Sequence, residues 1–294
     1  MAISCFLMFW GEQVKELLAD EEIELFTFLR NNLSGSKNNI KSFLAHEIVS
    51  VNGKIITKYN YLLKKGDKIS IGAKKVDSFC GKINIIYEDK DFLVVDKPSG
   101  MLTIATEDDK DANNNLYSIL SKYVKKKSST SRIYVVHRLD KDTSGVLLFT
   151  KNEKLMSILQ NDWNDIATRI YYAVVYGITN ESGVIKSYLK ENEKLVTYSN
   201  RYGKLAITEY KKIKNNDKFS LLKINIKTGR RNQIRVQLKE IGHPIVGDSK
   251  YGKKDKSFKR MMLHASILSI VNPITKKEMI FESKLDKTFN DLVN

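Results

Sequence analysis

The sequence predicts an α+β fold: a mixed, mostly antiparallel β-sheet domain with flanking helices, preceded by a small α/β unit. Three observations predict it. Strand-like runs follow one another with only occasional helical stretches, which argues against the regular alternation of a doubly wound sheet. Phe219 to Lys227 alternates with the period of a half-buried strand, Leu222, Ile224 and Ile226 facing one way and Lys223, Asn225 and Lys227 the other. Near the N-terminus two helical stretches run directly into a hairpin signal. At 294 residues the chain can form one large domain or two unequal ones.

Taken in order, Ala2 to Trp10 is apolar but has no basic leader and is too short to span a bilayer, so residues 1–20 read as a packed extension. Residues 21–75 form the first domain. Leu25, Phe26 and Leu29 have helical spacing, and the run Asn-Asn-Leu-Ser-Gly ending at Gly35 stops that helix. A second helix runs from Ser36 to His46 with Ile40, Phe43 and Leu44 on one face. Val49 to Val51 and Lys54 to Ile56 flank Asn52-Gly53, a hairpin turn. Gly66-Asp67 then turns into a strand at Lys68 to Ile71, and Gly72 to Cys80 reads as a linker.

Residues 76–294 form the larger domain. Ile83 to Asp96 holds two strands divided at Tyr87-Glu88-Asp89, and Lys97-Pro98-Ser99-Gly100 is a turn by its own chemistry. A helix from Leu116 to Val124 lies between two surface loops, Thr106 to Asn115 and Lys125 to Thr130. Ile133 to Leu139 and Val146 to Phe149 read as strands joined by the polar turn Lys141 to Gly145. A helix over Lys154 to Trp163, a strand over Tyr171 to Gly177, a helix over Arg231 to Ile241 and strands within Leu263 to Phe281 complete the order.

Fifty Lys and Arg stand against thirty-four Asp and Glu, a net charge of +16. Such an excess suits a polyanionic partner, because every phosphate contacted releases counterions. Charge alone does not separate RNA, DNA and an anionic membrane. There is no basic amphipathic helix with aromatic anchors and no helix-turn-helix signature, so the last two gain little. Cys5 and Cys80 make no metal-ligand spacing, which suits a reducing, cytoplasmic compartment. His46, His137, His243 and His264 are scattered, and no metal site is expected.

The most informative run is His137 to Thr150, HRLDKDTSGVLLFT. A carboxylate delivered by Asp140 on a turn between two strands is rigidly aimed, as a nucleophile or base must be, although Asp on a turn is by itself an ordinary turn former. The string H-R-L-D-x-x-T-S-G resembles the active-site motif of the RluA family of pseudouridine synthases. IIYEDKDFLVVDKPSGMLT resembles the opening strands of that catalytic domain. The strings Gly242 to Gly252 and Leu263-His264-Ala265 are also similar to family segments. The helix–helix–hairpin unit, with VNGK and KKGDKI, resembles an S4-type RNA-binding domain.

The resemblance implies a catalytic domain of pseudouridine synthase type that isomerises uridine in RNA without a cofactor. It points to large-subunit ribosomal RNA, with transfer RNA the alternative, and a monomer is the default. Asp140 would be the catalytic carboxylate, acting on the ribose, on the base or on the 2′ proton; the sequence does not choose among these. Arg235, in Thr228-Gly-Arg-Arg-Asn-Gln-Ile-Arg235, would be its buried partner, its guanidinium favouring the charged carboxylate and fixing its direction. The competing reading is a solvated basic stripe of Arg231, Arg235 and Lys239. Tyr171, in Arg169-Ile-Tyr-Tyr-Ala-Val-Val-Tyr-Gly177, would stack on uracil and take the carbon-5 proton; a register error of one would exchange it for Tyr172. Arg138, two residues before Asp140 and on the same face if the segment is a strand, would contact RNA together with His137, Arg230 and Arg231. In the first domain that task would fall to Lys37 and Lys41. Asn232 and Gln237 stand where the family usually has histidine.

Two other readings compete. A glycoside hydrolase needs two opposed carboxylates, and the nearby Asp142 reads as a cap of its own turn. A non-catalytic RNA-binding assembly factor would satisfy the charge and the first domain, but has no need of Asp140, Tyr171 and Arg235 together.

Overall fold

The computed structural model describes residues 15–33, 36–45, 49–71, 83–105, 115–253, 255 and 257–294. The expectations for Ala2 to Trp10, the Gly35 stop, His46, the linker at 72–80 with Cys80, and the loop at 106–114 lie outside these residues. The chain divides into two compact units, Met1–Lys75 and Val76–Asn294. Among the described residues no helix is long and apolar enough to cross a membrane.

The first unit contains β1 (Lys15–Leu18), β2 (Ile23–Glu24), α1 (Leu25–Asn32), α2 (Lys37–Ala45), β3 (Val49–Val51), β4 (Lys54–Ile55), β5 (Leu62–Leu63) and β6 (Lys68–Ile71). Its sheet has the order β1-β6-β3-β4, and β2 pairs with β5. Of the positions that set the helical spacing, Leu25 and Leu29 of α1 and Ile40 and Leu44 of α2 are buried, and with Phe28 they pack on Val49, Val51 and Ile69, while Phe26 and Phe43 are partly buried. Residues 15–18 correct the reading of an extension up to residue 20. They form the edge strand β1, paired antiparallel with β6 from Lys15↔Ile71 to Leu18↔Lys68.

The second unit contains β7 (Asn84–Glu88), β8 (Phe92–Lys97), α3 (Leu116–Lys127), β9 (Tyr134–Val135), β10 (Ser144–Thr150), α4 (Glu153–Asn161), α5 (Trp163–Ile166) and β11 (Ala167–Tyr176). There follow β12 (Ser182–Glu191), β13 (Thr197–Ser199), β14 (Lys204–Asn215), β15 (Phe219–Ile226), α6 (Gln233–Glu240), β16 (Leu263–Val271), β17 (Glu278–Glu282) and α7 (Lys287–Asp291). Most strands join one sheet in the order β13-β12-β14-β15-β11-β16-β10-β8-β7, with β9 on β10 and β17 on β16. Among the described residues only the short β10–β16 pairing is parallel, so the sheet is mixed and mostly antiparallel, as expected for an α+β fold.

The continuous apolar runs FLVV and VLLF are explained by burial on both faces of the sheet. Leu93, Val95, Leu147 and Phe149 face one core with Leu116, Leu120 and Val124 of α3. Phe92, Val94, Val146 and Leu148 face a second core with Leu155 and Leu159 of α4. Gly145 marks where β10 and β16 close together. Its φ is +116°, and an added Cβ would lie 2.0 Å from the Ala265 carbonyl oxygen, so only glycine fits.

Several boundaries differ from the sequence reading. α3 continues through Lys127, its lysines lying in the last turn where the helix dipole favours cations. The expected helix over 154–163 breaks at Asp162 into α4 and α5. The strand expected over Ile133 to Leu139 is only the two residues of β9; residues 136–140 carry no ladder. α6 starts at Gln233, because Asn232 sits in the left-handed region at φ +53°, a conformation asparagine tolerates.

Candidate active site

Asp140 lies beyond β9, on the turn that enters β10, and side chains fix its backbone in place of a strand ladder. The Thr103 hydroxyl donates to the Leu139 carbonyl at 2.9 Å, and the Leu139 N–H donates back to it at 3.3 Å. The Thr143 N–H closes the turn on the Asp140 carbonyl at 3.2 Å. The neighbouring Lys97-Pro98-Ser99-Gly100 turn docks against it. Gly100 N–H donates to the Lys141 carbonyl at 2.9 Å, and Ser99 Oγ to the Asp142 carbonyl at 2.7 Å. Asp142 therefore joins the turn through its backbone.

Lys97 locks the two turns together. It is fully buried, and its Nζ donates to the carbonyls of Pro98 (3.0 Å), Met101 (2.7 Å) and Lys141 (2.9 Å). Burial draws its pKa down to about 7, opposed by Asp142 and Asp140, while three carbonyls match the three N–H bonds of the charged form. Lys97→Met should leave all three without their donor. The expected loss is about 3 kcal/mol in urea unfolding, with activity falling as the Asp140 turn loosens. Unchanged stability would show that the two turns hold without it.

The carboxylate is aimed from the other side. Arg235 projects from α6 and is 6% exposed, so the solvated-stripe reading fails. Its Nη1 donates to Asp140 Oδ2 at 3.1 Å and to Asn232 Oδ1 at 3.0 Å. The other edge is gripped by Asp248, with Nε on Oδ2 and Nη2 on Oδ1, both at 2.8 Å. Asp248 Oδ1 also accepts from the backbone N–H groups of Lys250 and Tyr251 at 3.0 Å, and the guanidinium lies over the Tyr251 ring, 4.9 Å from its centroid. Burial works against the charge of Arg235, but the two carboxylates outweigh it and hold its pKa above the ordinary value. Burial likewise raises Asp248, yet Arg235 and the two backbone donors leave it below the usual carboxylate range. One guanidinium is thus shared between a buried, saturated carboxylate and a second one whose side chain is 27% exposed.

Tyr171 is buried on β11, its neighbours in register being Ile224 and Ala265, and Tyr172 takes the opposite face beside Lys223 and His264. Burial pushes the Tyr171 phenol up to about 12, Arg169 pulling it down and the charge of Asp140 adding to the rise. Arg169 was not singled out by the sequence, although it is the basic residue of the Arg-Ile-Tyr string. It is 5% exposed, donates through Nη2 to Asn164 Oδ1 at 3.0 Å, and its Nε has no partner. Asp248 was also missed; the signal available was a lone aspartate in Gly-Asp-Ser-Lys-Tyr-Gly.

His137 requires a correction. Its ring stacks on Trp163 at 4.6 Å, and Nε2 accepts the Leu148 backbone N–H at 3.1 Å. Burial, helped by Arg169, depresses its pKa to about 3, so the ring is a neutral part of the scaffold and presents no cation to phosphate. The unfolded chain binds the proton first, so stability is full above about pH 6.5 and is lost as pH falls toward 3. Between pH 7 and pH 5 this amounts to about 2 kcal/mol. His137→Gln should remove that increment of acid sensitivity in urea titrations at the two values, and an equal drop in mutant and wild type would refute the assignment.

The remaining expected RNA contacts are distributed. Arg138 is exposed, but off any strand, so the shared-face argument does not apply to it. Arg230 Nε donates to the Leu205 carbonyl at 3.0 Å, and Arg231 pairs with Glu191. Lys37 and Lys41 are exposed one turn apart on α2. Asn232 and Gln237 turn inward. Asn232 meets Arg235 and Tyr251, and Gln237 Nε2 meets the Ala206 carbonyl and Ser187 Oγ, both at 3.0 Å.

A carboxylate held in this way on a mixed sheet fits an enzyme of the pseudouridine synthase class. The RNA pseudouridylate synthase family pattern matches residues 91–240. A protein described as an uncharacterized RNA pseudouridine synthase in Mycoplasma pneumoniae (strain ATCC 29342 / M129 / Subtype 1) is 33% identical over 285 residues, 91% of this chain and 90% of the relative. Ribosomal large subunit pseudouridine synthase D of Borreliella burgdorferi (strain ATCC 35210 / DSM 4680 / CIP 102532 / B31) is 41% identical over 198 residues, 64% of this chain and 61% of the relative. In fold, the chain is similar to human RNA Pseudouridylate Synthase Domain Containing 4, with a TM-score of 0.59 at 20% identity over 70% of this chain and 90% of that one. The chain belongs to the RNA pseudouridylate synthase family, of RluA type, and is an isomerase that makes pseudouridine in RNA.

Proposed function

We propose that Asp140 is the catalytic carboxylate of this isomerase and that large-subunit ribosomal RNA is its substrate. The observation that carries the site is the Arg235 bridge, 3.1 Å from Asp140 and doubly bonded to Asp248. In the reaction the bond from uracil nitrogen 1 to the ribose breaks, the base turns, and carbon 5 joins the same ribose carbon. The carbon-5 proton is released and nitrogen 1 gains one, so no oxidant or donor is needed. Arg235 holds Asp140 in one direction before the base arrives, which removes the cost of orienting it during the reaction. Tyr171 stacks on the flipped uracil; its phenolate form, which the nearby Arg169 charge favours, accepts the carbon-5 proton and becomes the neutral phenol. The target must leave its stack, at a cost of roughly a few kcal/mol.

The first unit is read as an S4-type RNA-binding domain, with Lys37 and Lys41 on phosphates and Arg138, Arg230 and Arg231 meeting RNA in the second unit. Lys37→Glu with Lys41→Glu should weaken RNA binding and lower the slope of log K against log salt by about 2, since each lost phosphate contact contributes about 0.9 in duplex RNA treated like B-DNA. An unchanged slope would remove α2 from the interface. The enzyme is read as a monomer acting in the cytoplasm, a compartment that suits two cysteines without pair spacing.

The substrate is tested by tritium release from RNA labelled at uridine carbon 5, with large-subunit ribosomal and transfer RNA transcripts offered separately. Release from the ribosomal transcript is expected. Release from transfer RNA alone would overturn the choice of substrate and leave the chemistry intact.

A further inference from the structure

The sheet of the second unit has a face that the active site does not use. On β12, β14 and β15 the inward residues Leu189, Ala206 and Ile224 lie on the side of α6 and Tyr171; Val236 of α6 packs on Leu189 and Ala206. The alternate residues point the other way. There Tyr188 is 51% exposed and Tyr198, on the edge strand β13, is 39% exposed. Tyr198 lies opposite Lys190 in register, and Tyr188 opposite Leu205. The two rings are thus near neighbours on adjacent strands, at about the 7–8 Å diagonal spacing of a sheet.

Four exposed lysines share this face, two beside the rings and two further along the sheet. Lys186 and Lys190 bracket Tyr188 along β12, and Lys211 and Lys223 face each other directly across β14 and β15. Among the described residues none of the four is paired with a carboxylate; Glu209, on the same face, is held by Lys227 at 3.0 Å. Two like charges set opposite each other in a sheet repel and destabilise it slightly. That arrangement is compensated when an anion lies across both. Exposed aromatic rings interleaved with unpaired cations form the stacking platform that single-stranded nucleic acid requires, bases on the rings and phosphates on the lysines.

We propose that this outer face of β13-β12-β14-β15 binds a single-stranded stretch of the RNA substrate, outside the nucleotides that enter the Asp140 site. The bases stack on Tyr188 and Tyr198, and the phosphates run between the Lys186–Lys190 pair and the Lys211–Lys223 pair. The proposal rests on RNA being the substrate but not on the catalytic role of Asp140. A complex that reaches both faces of the sheet passes around the β13 edge, so the RNA must carry an unpaired segment next to the target region.

The test uses the full chain and a fluorescein-labelled, unstructured uridine-rich oligonucleotide in fluorescence anisotropy, with the annealed duplex as control. Tyr188→Ala with Tyr198→Ala should raise the Kd for the single strand about thirtyfold or more, the effect of losing two stacked bases, and leave the duplex Kd unchanged. Lys211→Glu with Lys223→Glu should lower the salt slope by about 1.4, two phosphate contacts at about 0.7 each for a single strand. All four side chains are exposed, so both variants should melt with the wild type, and turnover at saturating RNA should not change. Asp140→Ala should bind the oligonucleotide like the wild type, which separates a failure of the chemistry from a failure of this surface. Unchanged single-strand affinity and salt slope in both variants would overturn the proposal. So would a photocross-link from 4-thiouridine RNA that reaches cleft residues but neither tyrosine.

Discussion

Asp140→Ala should reduce tritium release from carbon-5-labelled RNA to background, while RNA binding is largely retained. A proton-transfer role alone would account for a loss of about 10²–10⁴-fold, and loss of a nucleophile for complete inactivity. Binding should persist because the substitution removes no phosphate contact. Stability should also change little. Asp140 is the partly exposed member of the site, and without it Arg235 keeps two bonds to Asp248 and one to Asn232. Asp140→Asn should be equally inactive, since it preserves shape and removes charge. A mutant that releases tritium at the wild-type rate would end the assignment of Asp140.

Asp248→Ala should behave differently, although Asp248 is not proposed to touch the substrate. It is 1% exposed and supplies both acceptors on the inner edge of Arg235. Removing it leaves a buried guanidinium with only Asp140 as counter-charge and leaves the Lys250 and Tyr251 N–H groups without their acceptor. Breaking a buried pair from one side costs about 3–5 kcal/mol, to be read in urea unfolding. Below the melting transition, kcat should fall with little change in KM, because Arg235 then turns from Asp140 toward an unsatisfied edge. Asp248→Asn keeps one acceptor oxygen for Nη2 and the two backbone N–H groups but sets an amide NH2 against Nε, so it should restore part of the stability and less of the turnover. If Asp248→Ala lowers stability but leaves kcat intact, the bridge is structural only.

The core strands were legible because each side chain reports its own burial. FLVV and VLLF are apolar throughout and are buried on both faces, and the alternation in 219–226 is the alternation of β15. β12 was not legible. Its deeply buried apolar positions are Ile185 and Leu189, four apart, which imitates a helix, and its outward face carries Val184 and Tyr188 on solvent. β1 was missed because a short edge strand has one apolar face, and its partner β6 lies some fifty residues away.

For the site, the chain alone determined the motif around Asp140, the Arg235 string and the tyrosine pair, since residue type and order are local properties that a family resemblance preserves. What only the tertiary structure decided was which charges meet. Asp140 and Arg235 are 95 positions apart and Arg235 and Asp248 are 13 apart, yet one guanidinium joins all three. The register of β11 against β15 and β16 puts Tyr171 and Tyr172 on opposite faces of the sheet, and the path of residues 136–140 off any ladder turns His137 into scaffold. Ion pairs and ring stacks form through space, and their energies depend on distance and burial, which the order of residues along a chain does not contain.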